Sequence, residues 1–82
     1  MSLFDDIVAA SRLAPMLAPF TMTRLLVKAN IAPARVTPAE LRAALPVIRE
    51  GLAAYLSPEE LERAMRDLAA LAGDDDGLRR AS

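Results

Sequence analysis

The hydroxyl side chains of Ser2, Ser11, Thr21, Thr23, Thr37, Tyr55 and Ser57 could act as nucleophiles by type, yet the 82-residue chain contains no histidine to activate them. A serine or threonine attacks only when a neighbouring base takes its proton, and imidazole is the usual base. The absence of cysteine removes thiolate nucleophiles, disulfides and thiolate zinc sites as well. Carboxylates and the single lysine, Lys28, could serve as bases, but no glycine-rich phosphate loop accompanies them. The adjacent acids Asp74, Asp75 and Asp76 before Gly77 lack the alternating ligands and distal glutamate of a calcium loop. The expectation is a non-enzymatic protein with no catalytic residue, no cofactor and no metal.

Recognition is the other chemistry available. Arg24, Lys28, Arg35, Arg42 and Arg49 form a basic set in the first part of the chain, where residues 1–50 carry six basic and four acidic side chains. Residues 51–82 carry four basic and seven acidic ones. A positive surface of this kind meets an acidic protein or phosphates; its bland alternative is a solvated face balanced by Glu40, Glu50 and the acids further along. Nucleic acid is disfavoured, because the net charge is −1 and the pI about 5.3, the reverse of the usual basic footprint.

These side chains need elements to hold them, and the clearest signals are two helix starts twenty residues apart, Val36-Thr37-Pro38-Ala39-Glu40-Leu41 and Leu56-Ser57-Pro58-Glu59-Glu60-Leu61. In each, a hydroxyl can accept from the backbone N–H three residues on, and the glutamate there can bond back. Proline takes the first helical position, where no donor is needed. The flanking pairs Val36 with Leu41 and Leu56 with Leu61 can close as hydrophobic staples. Thr37 and Ser57 are thus assigned to capping and not to catalysis. Two copies fall short of the three or more repeats a solenoid needs.

The spacing predicts four helices. The first runs from about Leu3 to Ala14, opened by a weaker cap of Ser2 with Asp5. The second begins at Pro19 and ends near Ala29, with Asn30 tolerant of the left-handed geometry that terminates helices. Apart from the stripe Thr21, Arg24 and Lys28, that segment is apolar around most of its circumference, so it wants contacts on more than one side. The third runs from Pro38 to about Tyr55 with a seam at Leu41, Leu45, Ile48, Leu52 and Tyr55. Pro46 inside it should kink or break the helix, and Gly51 points to close approach of another helix. The fourth spans Pro58 to Ala72, with Glu59–Arg63 and Glu62–Arg66 in favourable i,i+4 order and Gly73 as terminator. Residues 74–82 read as a disordered tail.

A helix-turn-helix reading of the last two helices fails on charge: a recognition helix offers its first turn to DNA, and here that turn carries Glu59 and Glu60, followed by Glu62. The third helix is also too short and too interrupted for the long histone helix. Arg79-Arg80-Ala81-Ser82 matches a basophilic-kinase substrate pattern, read as coincidence. The longest uncharged run, Leu13 to Thr23, is eleven residues with two prolines, short of the roughly 20 a membrane span requires. The acidic start Asp5-Asp6 does not suit a signal peptide, and arginine outnumbers lysine nine to one; a cytoplasmic bacterial protein is the expectation.

The sequence therefore predicts an all-α, small four-helix bundle-like domain over 1–73 and a flexible tail over 74–82. Its expected role is a helical protein–protein interaction or adaptor module, self-associating as a homodimer or binding another protein. The interface falls on helix two and part of helix three through Phe20, Met22, Leu25, Leu26, Ile48 and Leu52. The basic set is the candidate partner surface. A nucleic-acid-associated regulatory role and a peripheral membrane-surface role, with Ala14 to Val27 lying on lipid, stand as the alternatives.

Overall fold

In the computed structural model, which describes residues 2–73, the chain forms α1 (Leu3–Ala10), α2 (Ala18–Lys28), α3 (Pro38–Leu52) and α4 (Pro58–Leu71), with a 3₁₀ turn at Pro33–Arg35. No strand occurs among the described residues. The tail read from Asp74 to Ser82, including its acidic run and its Arg-Arg-x-Ser pattern, lies outside them.

Local signals decide where the helices start. Thr37 makes both halves of its capping box, its hydroxyl accepting from the Glu40 N–H at 3.1 Å while the Glu40 carboxylate accepts from the Thr37 N–H at 3.0 Å. Ser2 and Asp5 form the same reciprocal pair, so the start that looked weaker is complete. Ser57 makes one half only, accepting from the Glu60 N–H at 3.3 Å. All three satisfy an N–H that the helix itself leaves without a partner.

The ends depart further from expectation. α1 stops at Ala10, four residues early, because the buried Ser11 hydroxyl donates to the Val8 carbonyl at 2.7 Å and accepts from the Leu13 N–H at 3.3 Å. That local bonding competes with the helical ladder. Arg12 then takes φ 62°, a left-handed conformation uncommon for a side chain with a Cβ. α2 ends as expected, with Asn30 at φ 67°, and α4 is closed by Gly73 at φ 83°. α3 ends at Leu52, and turns through Ala53 to Leu56 replace the predicted last turn. Of the kink or break expected at Pro46, the break does not occur: α3 passes through the proline as one helix. The proline sits on the exposed side, where losing one backbone bond to the Arg42 carbonyl leaves the core seam intact.

Chain neighbours pack on one another, α1 on α2, α2 on α3 and α3 on α4, and α4 returns to α1. The largest fully buried apolar side chains are Ile7, Met22, Leu26, Leu41, Ile48, Leu52 and Leu68, drawn from all four helices. They recur at helical spacing, which is why one stripe of each helix suffices. Val36, Leu41 and Leu61 are buried in one cluster, and the partly buried Leu56 packs against it.

Gly51 on α3 leaves room for the Leu25 side chain of α2. A Cβ at this position would lie 2.3 and 2.8 Å from the two methyl carbons of Leu25 and 3.1 Å from its Cγ. Gly51→Ala is therefore expected to destabilise the fold by about 1–2 kcal/mol, the crowding outweighing alanine's better helix propensity. In a Leu25→Ala background the same change should become neutral or stabilising, by up to about 1 kcal/mol. Urea denaturation of the four proteins in this cycle measures the coupling.

Candidate functional site

The basic set divides by its contacts within the chain. Arg42, on α3, reaches the end of α4, where its guanidinium donates to the Gly73 carbonyl at 3.1 Å and to the Ala72 carbonyl at 3.5 Å. Terminal carbonyls of a helix lack intrahelical donors and carry the negative end of its dipole, so a cation is stabilising there. Arg49 pairs with Glu62 across the α3–α4 contact. Glu62 is thus used between helices and not in the predicted pair with Arg66. Likewise Asp67 on α4 accepts from Arg12 at 3.0 Å, tying the left-handed corner after α1 to the last helix. Each of these ion pairs is substantially exposed, which limits its worth to a few tenths of a kcal/mol up to about 1. Arg42 and Arg49 are thus engaged with α4 while both remain exposed.

Arg24, Lys28 and Arg35 are exposed and make no ion pair with other described residues. Arg24 and Lys28 are four apart on α2, on one flank of its outer face. Arg35 ends the 3₁₀ turn that packs on α1 and α2.

The predicted oligomer interface divides in two. Met22, Leu26, Ile48 and Leu52 have no exposed surface at all; they form this chain's own core and are not available to a second one. Leu25 is half-buried against Gly51. Only Phe20 remains outside, at 74% exposure, and it belongs to a set the sequence did not single out: Met16 at 87%, Leu17 at 51% and Val27 at 58%. Their signal was present as spacing. Phe20 and Val27 lie seven apart and Met16 four before Phe20, so all three fall on the outer face once the opposite stripe of Ala18, Met22 and Leu26 turns inward. In the turn leading into α2, which holds Met16, the Ala18 N–H donates to the Ala14 carbonyl at 2.9 Å.

A shallow hollow of about 300 Å³ lined by Pro19, Phe20 and Thr23 lies on this face. Two other surface depressions are more polar in makeup: one of about 380 Å³ between α1 and α4, bounded by Asp6, Ala9, Ala10, Asp67, Ala70 and Leu71, and one of about 470 Å³ along α4 beside Glu59, Glu62, Arg63 and Arg66. Neither brings a hydroxyl beside a base. Among the described residues no group of three or more acids is placed to hold a metal ion, and no helix is long and apolar enough to cross a membrane. Of the hydroxyls, Ser2, Thr37 and Ser57 cap helices and Ser11 shapes the corner after α1.

Compared with protein-family models, curated proteins and solved structures, the chain matches none.

Proposed function

We propose that this chain is a non-enzymatic helical interaction module whose docking face is the outer side of α2. The single observation behind this reading is the group of exposed apolar side chains made by Met16 and Leu17 in the turn before α2 and by Phe20 and Val27 on it, beside Arg24 and Lys28, while the opposite stripe of the helix already fills the core. Large apolar side chains grouped on one face of a small domain mark interaction surfaces more often than isolated ones do. Phenylalanine, methionine and arginine are also enriched where proteins dock. Met22, Leu26, Ile48 and Leu52, four of the residues expected at a dimer interface, are occupied internally, which leaves Phe20 as the exposed member of that set.

A photo-crosslinking residue in place of Phe20, introduced in the cells the protein comes from, tests the reading. We expect discrete adducts from position 20 and from position 27, and none from position 63 on the outer face of α4. Equal or absent labelling at positions 20 and 63 overturns it.

A further inference from the structure

We propose that the outer face of α2 binds an acidic amphipathic helix of another protein, an inference that rests on the docking face named above and adds the chemistry of its occupant. Phe20, Thr23 and Val27 on α2 are spaced three and four, the interval at which one helix presents a seam to another, and Met16 lies four residues before Phe20 in the turn that leads into it. The seam is apolar at its exposed positions, with Met16, Phe20 and Val27 each more than half exposed. Arg24 and Lys28 line one flank of it.

Charge separates the occupants. α2 has no acidic residue along its whole length, Ala18–Lys28. If two copies paired through this helix, the flank of one would meet either the same cations or the uncharged flank of the other. In neither orientation does the partner α2 supply a carboxylate, and like charges across a seam disfavour pairing. A bilayer surface suits an apolar wedge with cations on both sides. Here the cations of α2 itself stand on one flank only, with the uncharged Pro19 toward the other. A helix with apolar residues along its own seam and glutamate or aspartate on the side facing Arg24 and Lys28 satisfies both features at once, in the helix-in-groove manner of peptide recognition.

Two synthetic helical peptides test this with the full chain: one with leucine at seam positions and glutamate on the flanks, the other identical with lysine in place of glutamate. At low ionic strength the glutamate peptide should bind about tenfold or more tightly than the lysine peptide. Added salt should reduce that preference. The pair Arg24→Glu and Lys28→Glu should reverse the preference, and Phe20→Ala should weaken binding of either peptide. Both basic positions are exposed, and an unchanged thermal melt of the double variant shows that the fold persists. Equal affinity for the two peptides, or binding of neither, overturns the proposal. So does Phe20-dependent dimerisation in sedimentation, or Phe20-dependent binding to phosphatidylglycerol vesicles. The last two results leave α2 as the docking face and exclude only the acidic helix, whereas absence of any adduct from position 20 removes both.

Discussion

Leu26→Glu should abolish the fold, while Phe20→Glu, six residues earlier on the same helix, should leave it standing. Leu26 has no solvent exposure and sits among Met22, Ile48 and Leu52 at the centre of the bundle. A carboxylate placed there must either stay ionised without a partner, at a cost of several kcal/mol, or protonate and still lose the packing of the leucine. A domain of this length holds roughly 4–12 kcal/mol in total. The variant should therefore show neither native-level helical circular dichroism nor a cooperative melt at neutral pH. Phe20 is 74% exposed, and its replacement should change stability by less than about 1 kcal/mol. Leu26→Met, which conserves volume, should cost less than about 1.5 kcal/mol. A cooperative melt from Leu26→Glu would mean that α2 is turned the other way and that the docking face has been misassigned.

Pro46→Ala should stabilise the domain by about 2 kcal/mol. A proline inside a helix removes one backbone hydrogen bond and crowds the carbonyl four residues back, at about 3 kcal/mol, and α3 continues through Pro46 without a break. Alanine restores the donor to the Arg42 carbonyl. Its greater freedom in the unfolded chain returns up to about 1 kcal/mol of that gain. Because Pro46 is exposed, the change disturbs no packing. For a domain this size each kcal/mol moves the melting temperature by about 4–8 °C, so the rise should be plain in a thermal scan. An unchanged or lower melting temperature would show that the helix at Pro46 has adapted around the ring and that a straightened α3 packs less well on α2 and α4.

Both predictions turn on the difference between what lies along the chain and what lies across it. Helix starts are local: a hydroxyl, a proline and an acid three residues on contain all the atoms of the cap, so Thr37 with Glu40 and Ser57 with Glu60 could be placed from their order alone. The terminators Asn30 and Gly73 were legible for the same reason, since the left-handed conformation depends on the residue that adopts it. The corner at Ser11 and Arg12 was not, because a serine hydroxyl that bonds Val8 and Leu13 competes on nearly equal terms with one more turn of helix.

The composition and periodicity of this sequence determined an all-α fold of four helices, their starting points and most of their inward residues. Tertiary structure alone decided which side of α2 faces water, since a helix that is apolar over so wide an arc can turn either of two stripes inward. It turned Met22 and Leu26 inward beside Ile48 and Leu52, and left Met16, Phe20 and Val27 outside. It also divided the cations, drawing Arg42 to the carbonyl end of α4 and Arg49 to Glu62 while Arg24 and Lys28 stayed exposed. The physical reason is common to both outcomes: burial and ion pairing depend on which helices are neighbours, here α2 on α3 and α3 on α4, and on which faces those neighbours turn toward each other.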